Sequence, residues 1–307
     1  MKASTAVWIL LAAGLVPAAA APNWSAVPAK DVMLFYPGQS SWEWMLTPSD
    51  HPGADKFRAG KNCAACHIGD ERNMGALLVS GKKNEPTPIP GKPGSIGAKV
   101  QFAHDDQNLY VRLMIAAGSQ PNAKMDNADE SKVTMMIEPG TVPEAGRAGC
   151  WASCHEDSAG MPAAGGADRT MYLPKTRAKL SRQGGGDALS PDLAKLKAAG
   201  YELEYWQAKL NPGSPAVAVN GVISEKRQET KPTAVAAEAS YAGGTWTVVL
   251  SRKLSAGAGF IPLAAGKQYT VAFAVHSGHT AKRFHYVSFE RTLVLDAGGA
   301  DFVAEKK

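Results

Sequence analysis

Cysteine is scarce here: four in 307 residues. That is too few to staple a chain of this length, so an ordinary hydrophobic core must carry the fold. Aromatics are also sparse at 7%, and the formal net charge is only +5. No basic run interleaves with aromatic residues, which argues against nucleic acid as a partner. Long apolar stretches are nearly absent. The one at residues 6–16 falls short of the roughly 20 residues that a bilayer span needs. With Lys2 before it and Ala18-Ala19-Ala20 after it, the run reads as a cleavable export signal over residues 1–20, the mature chain beginning near Ala21. No later window matches it without charge. The expectation is a soluble, exported, periplasmic protein that does not span a membrane once the signal is removed. No acid–base or nucleophile constellation stands out either, so an enzyme is not expected.

What is present is concentrated around the four cysteines. Cys63-Ala64-Ala65-Cys66-His67 has the spacing that attaches haem covalently. Two thiols on one turn can reach the two vinyl groups on one edge of a porphyrin, and the adjacent histidine then lies under the iron. A looser copy follows at Cys150-Trp151-Ala152-Ser153-Cys154-His155, with one extra residue between the thiols. Together they predict two covalently bound haem c groups, with His67 and His155 as the proximal iron ligands. The alternatives are a zinc or redox CxxC at the first site, and a disulfide involving Cys150 and Cys154 at the second.

Along the chain, residues 27–45 mix aromatics with turn residues and read as irregular chain packed on a haem. Residues 55–61 read as a short helix entering the first motif. Four prolines and two glycines in residues 82–95 predict an extended connector. This divides the chain into a small, mostly irregular or helical c-type haem unit at 21–81, a linker at 82–95, and a second domain at 96–307. That second domain reads as strands at 98–103, 108–115, 132–137, 233–241, 245–250, 268–276 and 284–293. One helix is signalled by Ser190, Pro191 and a terminating Gly200. Mainly β, with few helices, predicts a β-sandwich.

Three stretches carry a family resemblance. They are Phe102-Ala103-His104-Asp105-Asp106-Gln107-Asn108-Leu109-Tyr110-Val111-Arg112-Leu113, the hairpin from Gly243 to Leu254, and Val271-Ala272-Phe273-Ala274-Val275-His276-Ser277-Gly278. In order and spacing, residues 95–297 resemble the haem-binding domain family of ethylbenzene dehydrogenase gamma subunits and cytochrome c-552. The resemblance implies a β-sandwich with one haem between its sheets. In the molybdoenzyme members that haem is b-type, with methionine and lysine ligands. A covalent site between Pro139 and Met161 makes this chain look more like a dihaem c-type branch, in which a small cytochrome unit is fused to the sandwich.

An electron-transfer haem is usually six-coordinate, with histidine or methionine as the sixth ligand. His51, brought back by the Pro52-Gly53 turn, is the candidate for the first haem. His276 and His285 are candidates for the second, and His104, at a strand end, for either. Met74 and Met161 are the methionine alternatives. Arg112, Arg147 and Arg283 have the guanidinium fork that suits haem propionates. The function expected is that of an electron carrier between respiratory redox partners, such as a membrane quinol-oxidising cytochrome and a periplasmic oxidoreductase. The alternatives are a haem subunit of a molybdenum oxidoreductase, or a catalytic protein with one five-coordinate haem.

Overall fold

The computed structural model describes residues 22–39, 42–149, 151, 163–164, 167–168, 193–224 and 226–307. Cys150, Cys154, His155, Met161, the export signal and the start of the helix expected after Ser190 lie outside them. In chain order the elements begin with β1 (Lys30–Phe35), α1 (Trp42–Met45), α2 (Ala54–Arg58), α3 (Ala64–His67) and α4 (Glu71–Val79). Next come β2 (Ser95–His104), β3 (Asn108–Ala116), β4 (Ser131–Glu138), α5 (Pro143–Ala148), the two-residue β5 (Ala163–Ala164) and β6 (Ala167–Asp168), and α6 (Leu193–Ala198). The chain continues with β7 (Leu203–Leu210), β8 (Val217–Ile223), β9 (Arg227–Glu229), β10 (Val235–Ala242), β11 (Thr245–Lys253) and β12 (Gln268–Ser277). It ends with β13 (Tyr286–Val287), β14 (Arg291–Leu295) and β15 (Phe302–Lys306).

The architecture is mainly β, a sandwich of two largely antiparallel layers. One layer runs β10-β11-β3-β2-β1 and the other β12-β4-β7-β8-β9, with β13 bridging β1 to β12, and β14 with β15 bridging β12 to β2. Their inner faces share one core, in which Val111, Leu113 and Val248 of the first layer meet Met135, Trp206 and Phe273 of the second. Local chemistry sets the hairpins. Asp105 Oδ1 accepts the N–H groups of Gln107 and Asn108, turning β2 into β3. Gly243 and Gly244 both take positive φ, as the tight β10–β11 turn requires.

Strands β7, β8, β9 and β15 are additional to those expected, and two further departures bear on the site. Residues 27–45 are not wholly irregular: β1 pairs along its length with β2, from Lys30 opposite Val100 to Phe35 opposite Ser95. The sheet therefore begins before the first cysteine motif, and the chain leaves it, passes through α1–α4, and returns. In addition, the Pro/Gly-rich connector is packed down. Buried Glu85 accepts from the Tyr36 hydroxyl and from Arg283 Nε at 3.1 Å. The backbones of α4 and the connector touch directly, since a Cβ on Gly75 would lie 1.8 Å from Gly94 O. A second core cluster joins Trp42, Met45, Phe57 and Cys63 of the haem unit to Phe35, Trp151, Val287 and Phe289 of the sandwich.

Candidate haem site

The first cysteine motif forms a single helical turn held at its start from outside. Asn62 Oδ1 accepts from Ala65 N–H, Arg147 O accepts from Cys63 N–H at 2.8 Å, and Glu290 Oε1 accepts from Ala64 N–H at 2.9 Å. These partners use donors that the turn cannot satisfy internally. They also fix the motif to α5 and to the end of the β13 segment. Cys63 is buried and Cys66 exposed, so the two thiols face different surroundings. Burial pushes the Cys63 thiol well above its ordinary pKa, with the Glu290 charge adding to it. A reactive redox CxxC has the opposite shift, toward thiolate. Among the described residues no group of three His, Cys, Asp or Glu side chains is placed to hold an ion.

Beside the turn lies a largely apolar cavity of about 390 Å³, bounded by Cys63, Cys66, His67, His51, Met74 and Trp151 among others. His51 reaches it through the turn expected from Pro52-Gly53, and its Nδ1 lies 2.9 Å from Met45 O. A carbonyl only accepts, so Nδ1 carries the proton and Nε2 has its lone pair available. A Cβ on Gly53 would sit 3.1 Å from that Nε2, so glycine keeps the approach to it open. Trp44 stacks on His51 at 5.7 Å, and Phe289 on His67 at 6.2 Å. Burial first, and the neighbouring His51 next, lower the His67 pKa, favouring the neutral form that binds metals.

The spacing of the two imidazoles provides a test of fit. A ring nitrogen lies about 1.1 Å from the imidazole centre and binds a first-row metal at about 2.0 Å, so ligands on opposite sides of one ion have centres roughly 6.2 Å apart. The His51 and His67 centres are 6.1 Å apart. Together with Cys63 and Cys66, which also line the cavity, these residues fit a covalently attached haem that the two histidines would ligate.

The other candidates are placed elsewhere. His104 ends β2 about 30 Å along the strand from Ser95, which pairs with Phe35 beside the cavity, and so it lies far from His67. Its ring nitrogens meet Asp105 O at 2.9 Å and Asp296 Oδ2 at 2.8 Å, as suits a hairpin residue. His276 and His285 stack on each other at 4.6 Å, both within hydrogen-bond reach of Lys282 O. That separation is too short for the pair to take opposite sides of one ion. The three arginines are engaged by the protein: Arg112 by Gln101, Arg283 by Glu85, and Arg147 by Phe57 O and the Phe57 ring. Sequence reasoning missed Glu290 and Phe289, which contact a motif more than 200 positions away. The only cue was a carboxylate within the strand expected at 284–293.

A sandwich whose edge carries a CxxCH turn and a facing histidine defines a cytochrome of the c type with an appended β domain. The family model described as ethylbenzene dehydrogenase matches residues 22–288, and the chain belongs to that family. It is 38% identical to cytochrome c-552 of Stutzerimonas stutzeri over 94% of this chain and 92% of that protein. With cytochrome c-551 of Rhodocyclus tenuis it shares 29% identity over 94% of this chain and all of that protein. Among solved structures, a family 9 carbohydrate-binding module of Caldicellulosiruptor kristjanssonii in complex with cellotriose covers 63% of this chain and 65% of its own. Its TM-score is 0.33 and its identity 11%, too low to carry any argument. The chain is thus an electron-transfer haem protein of the cytochrome c type, and no helix among the described residues is long and apolar enough to cross a membrane.

Proposed function

We propose that this protein is an exported, periplasmic dihaem cytochrome c that carries electrons between respiratory redox partners and converts no substrate itself. One observation carries the reading: the ring centres of His51 and His67 lie 6.1 Å apart in a largely apolar cavity that Cys63 and Cys66 also line. When bound, haem c supplies a one-electron iron couple. Cys63 and Cys66 would tether it, His51 and His67 would hold its iron, and Trp44, Phe57 and Trp151 would exclude water from the cavity. With two histidines available to the group, this chain would supply ligands rather than a substrate site, which favours transfer over catalysis.

Cys150, Cys154 and His155 hold the second haem in this reading, and one imidazole of the His276–His285 pair supplies its other ligand. Residues 1–20 are the export signal, and the first haem motif lies in the excursion at 36–94 that leaves the sandwich after β1 and returns to it at β2. Lys56, Lys61 and Lys83 border the cavity. Their charge suits an acidic docking surface on a membrane quinol-oxidising cytochrome or a periplasmic oxidoreductase. Intact mass of the protein from a periplasm competent in haem attachment tests the reading. The expected value is the chain from Ala21 plus two haems, and a single added haem would remove the second site.

A further inference from the structure

The attachment turn of the first site is held to the sandwich by a carboxyl group whose charge the hold does not need. Glu290 is 5% exposed, and its Oε1 accepts from the N–H of Ala64, which lies between Cys63 and Cys66. An amide oxygen would accept that hydrogen bond without burying a charge. The other oxygen, Oε2, is buried with no hydrogen-bond partner among the described residues. One peptide N–H offsets only part of the cost of burying a negative charge, so this site makes the proton easy to gain. The packing around it is close: a Cβ on Gly149, at the end of α5, would lie 3.2 Å from Glu290 N. Phe289, the residue before Glu290, stacks on His67.

Charged groups on every side leave the carboxyl without an ion pair among the described residues. Arg291 follows it in the chain, and Asp301 comes from the loop before β15, their charges acting on it in opposite senses. On the motif turn Cys63 lies beside it, and that sulfur carries no proton once it is a thioether. On α5, Arg147 is engaged by Phe57 O and the Phe57 ring, and Glu144 accepts from the Tyr201 hydroxyl.

We infer that Glu290 couples proton uptake to electron uptake at the first haem site, so that the protein carries a proton along with the electron. This rests on the haem reading of that site proposed above. As the site takes one electron from a one-electron donor protein, iron passing from ferric to ferrous, the Glu290 carboxylate takes one proton from solvent and becomes the neutral acid. Oxidation by the acceptor reverses both, and no other bond is made or broken. The electron removes one unit of positive charge, and Glu290 binds the turn at Ala64, three residues from His67 and so on the same helical face. A unit change of charge about 10 Å away in a partly buried setting shifts a proton affinity by roughly tenfold. By linkage the proton favours the electron by the same factor. Burial raises the Glu290 pKa to about 7, so a shift of that size falls across neutral pH.

Optical redox titration of the full holoprotein, repeated from about pH 5 to about pH 9, tests this. Intact mass fixes haem content, and the transition displaced in His51→Ala is that of the first haem. Its potential in wild type should fall as pH rises through neutrality and level off on both sides. Glu290→Gln should hold the potential near the wild-type low-pH value, leaving the two proteins roughly tenfold apart in reduction equilibrium at high pH. Should Glu290→Gln not load haem, Glu290→Asp decides, since a carboxyl one methylene shorter must move the midpoint pH of the slope. A flat wild-type potential, the wild-type slope kept in Glu290→Gln, or an unmoved midpoint in Glu290→Asp would overturn the inference and leave the haem reading standing. A His51→Ala protein that keeps its haems and displaces neither transition would overturn the reading of the site, and the inference with it.

Discussion

Glu290 makes a prediction whose size can be worked from its surroundings. Its carboxyl is buried at 5% exposure, with Oε1 bound to Ala64 N–H and Oε2 without a hydrogen-bond partner among the described residues. Burial raises its pKa from an ordinary 4.5 to about 7. The folded protein therefore binds this proton more tightly than the unfolded chain does. Stability contributed by the neutral carboxyl is complete below the unfolded pKa and is lost as pH rises through the folded one. A shift of that size, at about 1.4 kcal/mol per unit, corresponds to about 3 kcal/mol lost between pH 4 and pH 8. Glu290→Gln keeps an oxygen for Ala64 N–H but has no charge to bury. Its amide adds a fixed cost or gain at every pH, so the informative quantity is the slope. Urea denaturation of both holoproteins should show wild type losing about 3 kcal/mol relative to the variant over that range. A difference that stays flat with pH would refute the reasoning.

Two further outcomes follow from packing and ligation. Gly75→Ala places a methyl group against the Gly94 carbonyl, so α4 must lift from the connector, and stability should fall by about 1–3 kcal/mol in the same assay. Gly97→Ala, where an added Cβ meets nothing within 4 Å, is the control and should change little. Because His276 and His285 cannot take opposite sides of one iron, replacing each singly by Ala should turn one haem high-spin in only one of the two variants. Electron paramagnetic resonance reads this directly, and two low-spin spectra would move the second haem's ligand elsewhere.

Much of the sandwich was legible because its exposed-face strands alternate. In β11 the pattern of half-buried and buried residues is regular, and the glycines of its turn mark where it begins. β7 escaped notice for the opposite reason. It is buried on nearly every residue, with α5, α6 and Tyr201 covering its outer face and Glu204 paired inside with Arg252 at 2.8 Å. Such a strand shows no period, and its charged residue reads as surface. β1 escaped because six residues with aromatic neighbours resemble loop, and only its partner β2 makes it a strand. At the site, Cys63, Cys66 and His67 were readable from local spacing, and the Pro52-Gly53 turn pointed to His51. Glu290, Phe289 and the inward position of Trp151 were not, because each depends on strands that meet only in the fold.

The pairing of His51 with His67 is tested most directly by carbon monoxide added to the dithionite-reduced holoprotein, wild type beside His51→Ala. Wild type should show an unchanged spectrum at the first haem, since both faces of its iron are occupied. The variant should gain a carbon monoxide band there at unchanged haem content. Ready binding by wild type, or no binding by a His51→Ala protein that retains its haems, would contradict the assignment of His51 as the second ligand.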